Sequence, residues 1–185
     1  MITRTNRLVF INVIVSILFV IPAFRLDLFN ENYSTLSLTT RGYLYVLFEG
    51  IFIGLLLAKE TYIITKNKIC SIFIFLSLLI GTIIPHHIPY NLQGNLHLLF
   101  AYIGFAGLTI LTINNIKYSK YLKYYMICLL SSVLIYLKCE MVNTLSEVIV
   151  MLSTLAINLL ICIKKEDRWS SLFCITFTSF NYMIN

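Results

Sequence analysis

The feature that most constrains this chain is a series of apolar runs of about 17–20 residues, the length that a helix needs to cross a bilayer. The gaps between these runs are alternately rich and poor in Lys and Arg. Of the 185 residues, 59% are hydrophobic and 12% are charged, whereas a soluble domain carries about a quarter charged residues. The pattern therefore indicates an integral membrane protein that crosses the bilayer several times.

The spans are predicted to be helices rather than barrel strands. A backbone inside a bilayer must satisfy its own hydrogen bonds, which only helices and closed barrels achieve. Barrel strands alternate polar and apolar side chains, whereas residues 72–76 are apolar throughout. We therefore predict an all-α polytopic membrane helix bundle with six transmembrane helices. The predicted spans are Leu8–Phe24, Tyr43–Ala58, Ile69–Ile84, Leu96–Ile113, Tyr121–Leu137 and Leu145–Ile163.

The basic residues predict the orientation of this bundle. Eleven of the 14 Lys and Arg residues precede the first span, follow the sixth, or lie in the second-to-third and fourth-to-fifth gaps or, for Lys123, in the first turn after the latter gap. The other gaps contain only Arg25, Arg41 and Lys138. Short loops rich in Lys and Arg remain in the cytoplasm, so both the N-terminus and the C-terminus are predicted to be cytoplasmic. Basic residues at membrane boundaries suit contact with membrane lipids and do not indicate a nucleic-acid partner.

The chain divides into a six-helix transmembrane domain, residues 1–163, and a cytoplasmic tail, residues 164–185. The tail begins with a charged cluster, and its apolar side chains then recur at helical spacing on one face. This pattern predicts an amphipathic helix that lies in the inner interface of the membrane. The alternative is a short seventh span, which places the C-terminus outside. High Ile, Lys, Asn and Tyr usage indicates a bacterial source, and hence the bacterial cytoplasmic membrane.

Small residues mark two helices for close packing. Gly50 and Gly54 form a GxxxG pair in the second span, and Ala101, Gly104 and Gly107 lie close together in the fourth. Small side chains let helix backbones approach each other within a membrane. We predict that these residues pack helices of the same chain. A homo-oligomer or a protein partner that docks through Gly50 and Gly54 is the alternative.

Polar side chains within or beside the spans are the candidate site. With the predicted orientation, Glu49, His97 and Glu147 lie in the outer half of the membrane, and the loop that carries His86 and His87 lies on the same side. A carboxylate at the depth of Glu49 needs a partner or a proton. Further along the sixth span, Asn158 shares a face with Glu147.

Two chemical interpretations of this set remain open beside a structural one. His and Glu are ligands of divalent metals and also the usual acid–base pair, with Glu49 and His97 as the catalytic candidates. We predict no metal site, because no diagnostic spacing links His86, His87 and His97, the weak candidates for metal ligands, and the identity of any cofactor stays unknown from the sequence. In the structural interpretation, Glu147 stabilises the start of its helix, in a capping box with Thr144.

Two stretches resemble a known family. One runs from the loop at residues 32–37 through residues 41–43 to residues 47–50 and 54–56, and the other joins residues 81–85, 95–97 and 100–101. Their order is similar to that in the bacterial domain of unknown function 998, which is grouped with the DRAM and FRAG-type membrane proteins. The resemblance implies six spans, a proline that closes the third span (Pro85) and a histidine that opens the fourth (His97). It implies no established reaction. A lipid-related function is implied only by analogy with the fold of that family's relatives.

Three functions fit these features. The first, which we favour, is a non-enzymatic protein that binds a lipid or a small apolar ligand in an outward-facing cavity of the bundle. Its candidate ligand-binding residues are Glu49, His97, His86, His87, Glu147 and Asn158. The second is an intramembrane enzyme that acts on lipid or peptide through Glu49 and His97. The third is an accessory or immunity protein whose helices dock on a membrane partner.

Overall fold

The part of the chain that the structure describes folds into six α-helices and one short 3₁₀ helix. The computed structural model describes residues 4–84, 92–116, 120–139 and 142–184, with side chains as far as Lys165. Each predicted span corresponds to one helix, and only Phe24 and Ile84 fall one residue past a helix end, so the all-α prediction is confirmed. The helices are α1 (Arg4–Ala23), α2 (Thr40–Thr65), α3 (Lys68–Ile83), α4 (Leu92–Ile116), α5 (Tyr121–Cys139) and α6 (Thr144–Ile184), and the 3₁₀ helix is Tyr33–Leu38.

Five of these helices are long and apolar enough to cross a membrane. The exception is α3, which has 16 residues and is therefore about 24 Å long, somewhat less than the hydrocarbon core of about 30 Å. By contrast, α2 continues seven residues beyond the predicted span and ends only at Thr65. This extension brings Glu60, which the sequence analysis placed in a loop, into a helix.

Polar residues fix the two ends of α2 and the start of α3. Thr39 precedes α2, and its hydroxyl accepts a hydrogen bond from the backbone N–H of Gly42 at 3.1 Å. At the other end, Lys66 adopts a left-handed conformation with φ 58° and closes the helix. Asn67 then caps α3 through its side-chain oxygen. Two residues therefore suffice to join α2 and α3 as an antiparallel pair.

In the bundle, α6 contacts four other helices, and α3 lies between two other helices. α6 packs against α1, α2, α4 and α5, whereas α3 packs against α2 and α4. The starts of α2, α4 and α6 lie at the same end of the bundle as the ends of α1, α3 and α5. We call this the capped end, because the 3₁₀ helix lies there, and the opposite end the lysine-rich end.

Glycine residues allow α3 to approach its two neighbours closely. A Cβ atom on Gly50 would lie 2.5 Å from Thr82, and one on Gly54 would lie 3.3 Å from the ring of Phe75. On the other side of α3, a Cβ atom on Gly81 would lie 3.2 Å from the backbone nitrogen of Ala101. The predicted packing of small residues within one chain is therefore confirmed. A homo-oligomer through Gly50 and Gly54 stays a prediction.

Interhelical hydrogen bonds connect buried polar side chains in the bundle interior. Asn12 Nδ2 on α1 donates to Glu60 Oε1 on α2 at 2.6 Å. On α6, Asn158 accepts from Thr112 Oγ1 at 3.0 Å, and Thr154 shares a 3.0 Å hydrogen bond with the hydroxyl of Tyr125. Such bonds satisfy polar groups that neither lipid nor an apolar core can satisfy.

The last helix continues without a break through the charged cluster at residues 164–168. It has 41 residues, so its length is about 60 Å, roughly twice the thickness of a hydrocarbon core. Its apolar stretch, Thr144–Lys165, is long enough to cross a membrane. The tail is therefore helical, and its position in the inner interface stays a prediction.

A candidate polar site at the capped end

The chain between α1 and the 3₁₀ helix forms a structured loop. Asp27 accepts hydrogen bonds from the side chain of Asn30 at 2.8 Å and from the backbone N–H of Phe29 at 3.0 Å. These bonds stabilise the carboxylate and lower the pKa of Asp27. The backbone N–H of Asp27 donates in turn to the side chain of Glu31 at 2.8 Å. The loop is therefore held by its own side chains.

This loop caps the first turn of α6. The carbonyl oxygen of Glu31 accepts hydrogen bonds from both the backbone N–H and the hydroxyl of Thr144, at 2.7 and 2.8 Å. The carbonyl oxygen of Leu28 accepts from the backbone N–H of Leu145 at 3.1 Å. The first amides of a helix have no partner within it, and here loop carbonyls supply two of those partners. The loop and α6 are therefore joined at the capped end.

The capping box that the sequence suggested for α6 is wrong by one residue. Asn143 Oδ1 accepts from the backbone N–H of Ser146 at 3.0 Å, and Ser146 Oγ lies 3.2 Å from the backbone N–H of Asn143. This reciprocal pair occupies the cap that we expected from Thr144 and Glu147. Glu147 Oε2 instead accepts a 2.7 Å hydrogen bond from the backbone N–H of Tyr33. The carboxylate thus joins α6 to the first residue of the 3₁₀ helix.

Tyr33 is buried at this junction. Only 8% of its surface is exposed, and its ring stacks on Phe19 of α1 with centroids 4.5 Å apart and planes 10° apart. Burial raises the pKa of its phenol above the usual value, and the nearby Glu49, Tyr45 and Glu147 raise it further. The phenol therefore stays neutral, yet its hydroxyl has no hydrogen-bond partner among the described residues.

Glu49, on α2, lies near Tyr33. It is nine residues past the first residue of that helix, or about 14 Å along its axis, which is deeper than the sequence-based span boundary suggested. Only 5% of its surface is exposed, and its Oε1 atom has no hydrogen-bond partner among the described residues. The nearby hydroxyl of Tyr45 donates to the carbonyl oxygen of Leu18 at 2.6 Å.

These residues form what we call the Tyr33–Glu49 site. It contains two buried polar groups without partners and one carboxylate with a single backbone donor, and its members are Phe19, Tyr33, Tyr45, Glu49 and Glu147. Buried polar groups are almost always hydrogen-bonded, and an unpaired one costs about 1–3 kcal/mol. The Tyr33 hydroxyl and Glu49 Oε1 lie on two elements that contact each other, and they are suited to bind a ligand that forms hydrogen bonds.

The structure places His97 at the contact between α3 and α4. Its Nδ1 atom donates to the carbonyl oxygen of Ile84 at 2.8 Å, just past the end of α3. From the other side, the hydroxyl of Tyr43 donates to the carbonyl oxygen of Ile83 at 2.8 Å. Both bonds satisfy carbonyls that the end of α3 leaves without helical partners. His97 therefore anchors the short helix, and its assignment to a shared site with Glu49 stays a prediction.

The remaining candidates lie elsewhere. Asn158 is 11 residues from Glu147, about 16 Å along α6, and it bonds to Thr112. Pro85, His86 and His87 lie outside the described residues. Within the described ranges, no group of three or more His, Cys, Asp or Glu side chains is arranged to hold a metal ion.

Two residues of interest were not identified from the sequence. Tyr33 appeared only as part of the family-like loop, and nothing in its spacing indicated burial. Glu60 was assigned to a loop, although it lies 11 residues after Glu49 and therefore on the same helical face. The 11-residue spacing from Glu49 was the feature of the sequence that could have indicated that Glu60 is also buried.

Comparisons with known proteins give no relative for this arrangement. No family model matches the chain, and no curated protein or solved structure matches it either. The resemblance to the domain of unknown function 998 stays a prediction.

Proposed function

We propose that this chain is a six-span protein of the bacterial cytoplasmic membrane, with its lysine-rich end in the cytoplasm and its capped end outside. The contacts of α3 support counting this short helix as a span, which brings the number of spans to six. At the capped end, Tyr43 of α2 bonds to the last turn of α3, and at the other end Ser71 Oγ donates to the carbonyl oxygen of Ala58 at 2.6 Å. The short helix therefore runs beside an apolar stretch of α2 that is long enough to cross most of a bilayer.

Within this bundle, we propose that the Tyr33–Glu49 site binds the polar end of a small amphiphile, such as a lipid. The observation that carries the proposal is the pair of buried polar groups without partners, the Tyr33 hydroxyl and Glu49 Oε1. The 3₁₀ helix carries Tyr33 and α2 carries Glu49, both at the capped end, so the ligand reaches the site from the outer leaflet. The exposed rings of Phe48 and Phe52 on α2 provide an apolar surface for its tail.

The experiment compares lipid retention by the purified protein and by Tyr33→Phe. The substitution removes one hydroxyl and preserves the ring that stacks on Phe19. Native mass spectrometry from a mild detergent should show a retained amphiphile on the parent chain and several-fold less on the variant, because a ligand bond is lost.

Tyr43→Phe is the matched control, because it removes a phenol hydroxyl at the same end but outside the site. It should leave retention unchanged. Equal retention by all three proteins, or no retained amphiphile on the parent chain, would show that the site does not bind one.

A further inference from the structure

The charge around the Tyr33–Glu49 site indicates what kind of polar group it receives. Glu49 and Glu147 both border the site, and within the described part of the chain neither forms an ion pair. The described residues at the capped end include the acids Asp27, Glu31, Glu49 and Glu147, and the cations there, Arg25, Arg41 and Lys138, form no ion pair with Glu49 or Glu147. A carboxyl group buried without a cation takes up a proton, whereas a cationic partner stabilises its ionised form. A positively charged ligand would supply the partner that the described residues do not.

The hydrogen-bonding groups narrow the cation further. The unpartnered groups are two oxygen atoms, Glu49 Oε1 and the Tyr33 hydroxyl, and both can accept hydrogen bonds. A primary ammonium group has three N–H donors on one charged nitrogen. An alcohol has a single donor and no charge, and a quaternary ammonium has charge but no donor.

We propose that the Tyr33–Glu49 site selects a primary ammonium group. Its N–H bonds donate to Glu49 Oε1 and to the Tyr33 oxygen, and its charge offsets that of the carboxylates. This inference rests on the proposed function, since it specifies the ligand of the same site. The ammonium belongs to one of two sources, the headgroup of an aminophospholipid or a soluble alkylamine, and the chemistry of recognition is the same for both.

The test uses the full-length protein in nanodiscs and in detergent micelles. Three phospholipids with identical acyl chains are compared by native mass spectrometry: phosphatidylethanolamine, phosphatidylcholine and phosphatidylglycerol. They present a primary ammonium, a quaternary ammonium and no cation. Phosphatidylethanolamine should be retained at least about tenfold more than the other two, which is the usual effect of a hydrogen bond to a charged group.

Hexylamine and hexanol separate the two sources. If an aminophospholipid is the ligand, hexylamine competes weakly and phosphatidylethanolamine is retained. If a soluble amine is the ligand, hexylamine raises the unfolding temperature, hexanol does not, and the three phospholipids are retained equally. Either result supports selection of a primary ammonium group.

Glu49→Gln tests the charge, and Glu60→Gln is its matched control, because Glu60 is a second buried carboxylate on the same face of α2 but at the opposite end. The first variant should lose the preference for an ammonium group, and the control should keep it. Should Glu49→Gln fail to fold, Tyr33→Phe should weaken ammonium binding several-fold.

Two results overturn the inference, and they are distinguishable. If phosphatidylcholine and phosphatidylethanolamine bind equally, with Tyr33→Phe weakening both, and hexylamine raises the unfolding temperature no more than hexanol does, the site binds an amphiphile but does not select a primary ammonium. If none of the lipids or alkyl ligands binds, the proposed function itself is wrong.

Discussion

At the scale of single residues, the hydrogen bond between Asn12 and Glu60 is the clearest structural role for a buried carboxylate. Glu60 is fully buried, and the 2.6 Å bond from Asn12 Nδ2 to its Oε1 atom is its only side-chain hydrogen bond within the described residues. Asn12→Ala should therefore destabilise the protein by about 1–3 kcal/mol, because it leaves Glu60 without its donor. Thermal unfolding in detergent, followed by circular dichroism, measures the effect.

The control for this prediction is Glu60→Gln. Glutamine preserves a side-chain oxygen that accepts from Asn12 and removes the carboxylate, so it should be tolerated better than Asn12→Ala. In a double-mutant cycle, Asn12→Ala should be less harmful when Glu60 is already Gln. Additive effects of the two substitutions would contradict a direct energetic coupling between the side chains.

Glu49 and Glu60 also show how far the sequence predicts single residues. The burial of Glu49 followed from its position inside an apolar run, whereas Glu60 follows Lys59 at the end of such a run and looked like part of a loop. A hydropathy pattern reports where apolar residues stop, but α2 continues for another two turns. Glu60 bonds to Asn12 of α1, and Glu49 lies near Tyr33 of the 3₁₀ helix, and no local pattern predicts such contacts.

At the scale of helices, the close approach of α2 and α3 depends on Gly50. A Cβ atom there would lie 2.5 Å from both Cγ2 and Oγ1 of Thr82, so Gly50→Ala forces the helices apart or Thr82 out of its rotamer. Overpacking of this kind typically costs about 1–3 kcal/mol. We expect a matching loss of thermal stability in Gly50→Ala, and a partial recovery in the double variant with Thr82→Ala.

Gly54→Ala is the comparison within the same motif. There a Cβ atom would lie 3.3 Å from the edge of the Phe75 ring, a contact that a small ring movement relieves. Its effect should be clearly smaller than that of Gly50→Ala. Equal effects would indicate that the glycines act outside the α2–α3 contact, for example between two copies of the chain.

The junction between the 3₁₀ helix and α2 gives a second prediction at this scale. A Cβ atom on Gly42 would overlap the carbonyl oxygen of Leu36, which is backbone and cannot move aside by a change of rotamer. Gly42→Ala should therefore displace the 3₁₀ helix and reduce amphiphile retention at the Tyr33–Glu49 site. Gly107→Ala, where the nearest atom is Ile74 Cδ1 at 3.3 Å, should leave retention unchanged.

The sequence predicted the helices better than it predicted their ends. All six apolar runs became helices, because a backbone inside a membrane has few alternatives. The 3₁₀ helix and the cap of α6 were missed. The hydrogen bonds from Thr144 to Glu31 and from Tyr33 to Glu147 join residues more than 110 positions apart, and only the folded bundle brings them together.

At the scale of the whole molecule, the role of α3 decides the topology of everything after it. With α3 as a span, the end of α5 lies outside and the start of α3 lies inside. If α3 remained on the inner side, each later helix would reverse direction and both positions would be cytoplasmic. The number of spans therefore determines on which side each loop lies. The half-buried cysteines Cys70, near the start of α3, and Cys139, at the end of α5, report the sides of the two positions.

Single-cysteine variants that retain either Cys70 or Cys139, with the other cysteines replaced by Ala, test this arrangement. A membrane-impermeant thiol reagent applied to intact bacterial spheroplasts should label Cys139 and spare Cys70, because the positive-inside rule places the lysine-rich end in the cytoplasm. Detergent should then make Cys70 reactive, which confirms that its thiol is available. Failure to label either residue before detergent would mean that α3 does not cross, and labelling of Cys70 alone would mean that the bundle has the opposite orientation.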